Sequence, residues 1–186
     1  ENEIITDFFE FISKFKYLFN YNGDGFDIPY LAKKINLCKL NYSFDKIESI
    51  DLYKHIKALK NVLHLDNLKQ KSIENFLGID RLDKYSGGDL IKVYKDYLKN
   101  PSEKGKQLLL QHNYEDLEGL LYCASLLSYE KFKTGCFKVQ KMSLKDNRLL
   151  FSLSLDYPLP KRISLGMKDI IVTGYQSEAT ISVPIL

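Results

Sequence analysis

A carboxylate that meets a metal ion or a moving proton works best where the backbone holds it still, and the chain offers such a placement at Asp27. The stretch Tyr21-Asn22-Gly23-Asp24-Gly25-Phe26-Asp27-Ile28-Pro29-Tyr30-Leu31 follows a short apolar run at 17–19. Asn22-Gly23 is a turn dipeptide, because both residues tolerate positive φ. Asp27 stands just before Pro29, where a helix can begin without the N–H that proline lacks. A carboxylate at a strand-to-helix junction points into a crevice, as metal-dependent phosphoryl chemistry requires. Asp is equally a favoured helix cap, so the local sequence leaves both readings open. A second pair is His112 and Asp116, four residues apart in His112-Asn113-Tyr114-Glu115-Asp116 and therefore on one helix face. An imidazole beside a carboxylate can activate water next to a metal ion. The plainer alternative is a half-exposed polar pair, worth roughly 0.2–0.5 kcal/mol.

The elements that must position these groups follow from periodicity and punctuation. Ile4, Ile5, Phe8, Ile12, Phe15 and Phe19 recur at helical spacing, which predicts a helix over 4–16 and then a strand at 17–21. A helix at 28–35, a strand at 47–52 and helices at 53–59 and 68–76 follow, with Asp66 as a cap for the last. Ser86-Gly87-Gly88-Asp89 opens a helix to about 99, and Asn100-Pro101-Ser102 starts a long one over 103–129. Leu109, Leu117, Leu120 and Leu121 are its expected apolar contacts beside His112 and Asp116. After Thr134-Gly135 the period becomes two: Phe137, Val139, Leu149, Phe151, Leu153 and Leu155 alternate with polar residues around a Lys145-Asp146-Asn147 turn. Pro158 and Pro160 are expected to break the sheet before two further strands, at 170–172 and 181–185. The expected domains are 1–133 and an antiparallel β extension at 134–186.

Composition bounds the function. A chain of 186 residues with 45% hydrophobic and 27% charged residues is an ordinary globular domain plus a small addition. Its net charge of +3 is too small to argue for nucleic-acid binding. From Lys131 onward nine basic residues face four acidic ones, which suits either guidance of a phosphate backbone or solvated strand faces. Arginine occurs only at 81, 148 and 162, so bidentate phosphate clamps are few. Cys38, Cys123 and Cys136 form no CxxC pair, which points to reduced thiols, and His55 and His64 have no metal-ligand spacing. No signal peptide is evident, and no apolar run approaches the roughly 20 residues that span a bilayer. A cytoplasmic protein without a membrane partner is expected.

Together the two stretches resemble the second and third acidic motifs of the DEDD exonucleases, in the ribonuclease H-like superfamily, and especially a branch of predicted bacterial nucleases. Tyr21 to Leu31 follows that branch's Tyr-Asn-Gly-x-x-Phe-Asp-x-Pro-x-Leu pattern. Asp116 matches the aspartate ending the third motif, with His112 where many relatives carry Tyr. Ser49-Ile50-Asp51-Leu52-Tyr53 is similar to the family's next strand, and Gly78-Ile79-Asp80-Arg81 and Tyr85-Ser86-Gly87-Gly88 to its helix connections. The likeness covers about 4–127. It implies an α/β, three-layer ribonuclease H-like fold and a two-metal Mg²⁺ or Mn²⁺ site. In that site Asp27 and Asp116 are ligands, His112 is the general base (Tyr114 a fallback) and Asp51 supports from behind. Asn22, Gly23 and Phe26 contact the substrate. The family's first motif, Asp-x-Glu, does not occur before Asp27, and the chain does not begin with Met. It therefore reads as a fragment lacking the first strands of the sheet and half of the carboxylates, with impaired activity.

The expected function is a metal-dependent 3′–5′ exonuclease-like domain hydrolysing DNA or RNA at a single-stranded end. The alternatives are an inactive nucleic-acid-binding module and a protein-interaction domain that works through the β extension, a dimer included.

Overall fold

A computed structural model describes residues 1–185; Leu186, the last residue of the expected β extension, lies outside them. The chain is mixed α/β, with two sheets and seven helices among the described residues. It divides into two compact units, Glu1–Leu59 and a second beginning at Lys60.

In the first unit, α1 (Asn2–Ile12) buries Ile5, Phe9 and Ile12. They form a core with Ile35 of α2 (Asp27–Leu37), flanked by Phe8, Tyr42, Phe44 and Ile47. The Phe9 ring stacks on Tyr42 at 5.1 Å and meets Phe44 edge-on at 5.0 Å. Each such buried side chain contributes about 1.5–3 kcal/mol. The helix stops before the expected 16, because the Ser13 hydroxyl donates to the Glu10 carbonyl and offers the backbone a turn instead. Phe15, beyond its end, is exposed, and so is Ile4 within the helix. Strand β1 (Tyr17–Asn20) and β2 (Glu48–Asp51) pair in parallel, Tyr17 with Glu48 through Asn20 with Asp51, and α2 connects them. The helix α3 (Leu52–Leu59) buries Leu52, Ile56 and Leu59.

The second unit holds α4 (Gln70–Leu77), α5 (Gly87–Lys99), α6 (Glu103–Ala124), α7 (Leu127–Lys133), β3 (Phe137–Lys145), β4 (Arg148–Met167) and β5 (Ile170–Pro184). The α4 cap is Lys69 rather than Asp66; Asn67 Oδ1 accepts from the Lys69 N–H and sets that turn. Ser86 and Asp89 form a capping box on α5, and Ser102 Oγ caps α6. The long helix expected to 129 breaks at Ser125, whose hydroxyl donates to the Tyr122 carbonyl. Its buried ridge is Glu115, Gly119 and Cys123, not the leucines: Leu117 and Leu121 are exposed. That ridge faces α4, where Ile73 and Glu74 are wholly buried, and Gly119 has no Cβ to hold the helices apart.

The extension is one antiparallel sheet in the order β3-β4-β5. Asp146 and Asn147, both at positive φ, make the two-residue hairpin turn after Lys145. Pro158 and Pro160 do not break β4. They fall where the β4–β5 register shifts, around Leu159, so the ladder makes no use of their missing N–H groups. The two later strands expected from the sequence are accordingly one, β5. Tyr129 on α7 joins the sheet to the helices: its hydroxyl accepts the Lys161 N–H (3.0 Å) and donates to the Lys161 carbonyl (2.6 Å).

Candidate active site

The first unit builds a rigid turn at the carboxyl ends of β1 and β2. Asp51 is 3% exposed and accepts the backbone N–H groups of Asn22 (2.7 Å), Tyr53 (3.1 Å) and Asp24 (3.4 Å). Asn20 Oδ1 accepts from Gly23 N–H (2.8 Å), and its amide donates to Ser49 Oγ (2.7 Å). Ser49 in turn donates to Asp24 (2.5 Å), which also pairs with Lys54. Lys54 and Ser49 together hold the Asp24 carboxyl below its ordinary value. Asn22 takes the left-handed conformation at φ 62°. A Cβ on Gly23 would stand 2.6 Å from Asn20 Oδ1, so only glycine fits there. This turn delivers Phe26, 69% exposed, and Asp27, the exposed first residue of α2. The structure thus brings Asn22, Gly23 and Asp51 together, with Gly23 buried inside the turn and Phe26 and Asp27 open to solvent.

The second unit carries the titratable network. Asp83 is almost wholly buried; it accepts the Nδ1–H of His112 (2.5 Å), Lys71 Nζ (2.8 Å) and the Tyr85 N–H (2.7 Å). Burial pushes its carboxyl up, but Lys71, His112 and the Tyr85 N–H outweigh this and hold it far below the ordinary range. Asp83 also fixes the orientation of the His112 ring, leaving Nε2 facing Asp116 Oδ2 at 3.2 Å. Asp116 Oδ1 accepts Arg81 Nη1 (2.6 Å), and Arg81 grips Glu74 through Nε and Nη2. Gln70 donates to Glu74 Oε1 (2.9 Å) and to the Asp116 carbonyl (2.7 Å). His112 and Asp116 form one wall of a cleft of about 880 Å³, together with Lys69, Lys71, Lys84 and the Ser86–Gly88 segment that opens α5.

Sequence reading missed Lys71, Glu74, Arg81 and Asp83. The one usable signal was Gly78-Ile79-Asp80-Arg81, a rare arginine among carboxylates, which reads only as a connection until its partners 7 and 35 residues away are known.

Carboxylate oxygens suit Mg²⁺ or Mn²⁺. Yet the Asp116 oxygens face Arg81 and His112, and Arg81 is held in place by buried Glu74. In the first unit the Asp27 side chain has no hydrogen bond or ion pair among the described residues. No three His, Cys, Asp or Glu side chains come together as a metal-binding group among the described residues. Within the second unit the carboxylates beside His112 are therefore engaged with Arg81 and His112 rather than set out as a two-metal centre. No helix among the described residues is long and apolar enough to cross a membrane.

Comparison with known proteins gives the family. The chain is similar to part of DNA polymerase 1 of Sulfurisphaera ohwakuensis, 29% identical over a 121-residue alignment that covers 48% of this chain. It spans only 14% of that relative's length. No solved structure matches it. Residues 1–127, which run from α1 to the first residue of α7 and include both acidic stretches, match the RNase_H_2 model of the RNase_H superfamily, and the chain belongs to that superfamily.

Proposed function

We propose that the chain is a nuclease-like domain that hydrolyses phosphodiester bonds of DNA or RNA, working at strand ends in the 3′–5′ direction. The observation that carries this reading is His112 on the wall of the cleft, oriented by Asp83 and set against Asp116. It stands in a chain whose residues 1–127 match a nuclease superfamily. In this reading His112 Nε2 takes the proton of the attacking water. Asp27 and Asp116 are the working carboxylates, Asn22 and Phe26 contact the strand end, and Gly23 and Asp51 keep their turn in shape. Mg²⁺ or Mn²⁺ enters only through the family likeness, since both Asp116 oxygens face Arg81 and His112 in this arrangement.

That last point favours a second reading, a nucleic-acid-binding module that keeps the fold without the chemistry. Gel analysis of 5′-labelled single- and double-stranded oligonucleotides, with Mg²⁺ and with Mn²⁺, separates the two. The nuclease reading expects shortening from the 3′ end by the parent protein and its loss in Asp27→Asn and Asp116→Asn. Undiminished cleavage by Asp27→Asn would overturn the assignment. Salt-sensitive binding without turnover in either metal would select the binding module.

A further inference from the structure

The three arginines have different fates in the fold. Arg81 is committed to Glu74 and Asp116. Arg148 donates to Ser182 Oγ (2.6 Å), the Ser182 carbonyl (3.0 Å) and the Asp169 carbonyl. The Arg162 side chain makes no hydrogen bond or ion pair among the described residues; its guanidinium instead lies over the Tyr175 ring, 5.5 Å from the centroid.

The backbone arranges this exposure. Ser154 pairs with Glu178, Leu159 with Gln176 and Ile163 with Gly174, so β4 advances further than β5 at both steps and carries surplus residues. Arg162 sits in the second surplus segment, and bulges of this kind re-aim side chains. Gln176 turns at φ 50°, and a Cβ on Gly174 would come 2.9 Å from Leu159 Cδ1, so glycine is needed at the bend. The bend leaves a concavity of about 320 Å³ lined by Arg162, Tyr175, Thr173, Gln176, Ser177 and Glu178, among others. That is the low end of small-ligand sites, roughly 300–1,000 Å³.

We infer that this concavity on the β4–β5 bend is a nucleotide subsite, which holds one base of single-stranded nucleic acid against the Arg162–Tyr175 platform. A guanidinium held over a tyrosine ring can offer a face to a base and its N–H edge to the adjoining phosphate. Gln176, Thr173 and Ser177 supply donors and acceptors for a base edge, and Glu178 supplies an acceptor. The inference rests on the nucleic-acid reading given above, and it adds a contact outside the region that matches the superfamily.

The test is fluorescence anisotropy of labelled twelve-nucleotide oligo(dT) and oligo(A) with the full chain in EDTA, where no metal-dependent cleavage occurs. Arg162→Ala and Tyr175→Ala should each weaken binding roughly ten-fold. Tyr175→Phe should bind like the parent, because the ring remains. Arg162→Lys should still lose affinity, because charge without a plane cannot stack. Lys95→Ala, on exposed α5, serves as the control for a generic loss of charge. Crosslinking of a 5-iodouracil oligonucleotide should mark Tyr175. Arg162→Lys and Tyr175→Ala that bind like the parent would overturn the subsite while leaving the nuclease reading intact. So would a parent protein that cleaves in Mn²⁺ but shows no affinity for these oligonucleotides in EDTA. Binding that depends on Arg162 and Tyr175 without cleavage in any metal would support the subsite and remove the nuclease reading.

Discussion

Gly119→Ala should unfold the second unit more easily, although it replaces a poor helix former with the best. Inside a helix the change alone is worth about 1 kcal/mol in favour of alanine. Here the new methyl would stand 1.8 Å from Glu74 Oε1, 2.5 Å from its carboxyl carbon and 3.1 Å from Gln70 Nε2. Glu74 is fully buried and its two oxygens are held by Arg81. Its carboxylate can move only by giving up that pair or by pushing α4 away from α6. Breaking a buried ion pair costs about 3–5 kcal/mol. The net loss is then about 2–4 kcal/mol, which at a urea slope of about 2 kcal/mol per molar lowers the midpoint by roughly 1–2 M. Urea unfolding followed by far-ultraviolet circular dichroism measures it. Gly87→Ala, at a helix start where a Cβ meets nothing within 4 Å, should be neutral or slightly stabilising. A Gly119→Ala protein as stable as its parent would refute the reasoning, because the close α4–α6 approach through a bare Cα would then be wrong.

Asp83 gives a pH prediction with a definite sign. Its folded carboxyl lies below the ordinary value of about 3.9, so its stabilisation is complete above about pH 4 and fades as the pH falls from there. Asp83→Asn should therefore flatten the acid limb of a plot of urea midpoint against pH; parallel curves would contradict this. The Cys123 thiol is pushed up to about 12 by burial and by the nearby Glu74 charge, with Arg81 opposing. A thiol reagent at pH 8 should titrate Cys38 and Cys136 in the native protein and reach Cys123 only after denaturation. Tyr129→Phe should cost about 1–3 kcal/mol, because both backbone groups of Lys161 lose their partner. An unchanged melting temperature would show that water replaces the hydroxyl.

Local chemistry made much of this fold legible. The Asn22-Gly23 turn, the helix that Ser86-Gly87-Gly88-Asp89 opens and the Lys145-Asp146-Asn147 hairpin each declare themselves in a few consecutive residues, and the structure has all three, with positive φ at Asn22 but not at Gly23. Longer-range competition hid the rest. Leucines at 117 and 121 suggest a buried stripe, yet α6 turns its glycine ridge inward because Glu74 and Arg81 need that space. Prolines at 158 and 160 suggest a strand break, yet register shifts absorb them, and no nearest-neighbour rule could anticipate where β5 would slip. At the site, His112 and Asp116 could be paired from their spacing alone. Asp83 and Arg81 could not, since loops bring them to α6 from 29 and 35 residues away.

Lys71, Asp83, His112, Asp116, Arg81 and Glu74 form a line in which basic and acidic side chains alternate. Such a line constrains how the protein can change through evolution. Replacing one inner member strands a charge or a polar group on both sides of it, whereas replacing two neighbours together can leave the remainder satisfied. Single steps away from this arrangement are therefore steep, and paired steps are shallow. Across descendants the six positions should drift as couples, Glu74 with Arg81 and Asp83 with Lys71, and a lineage that loses Glu74 while keeping Arg81 should be found only where another acidic group has moved in beside it.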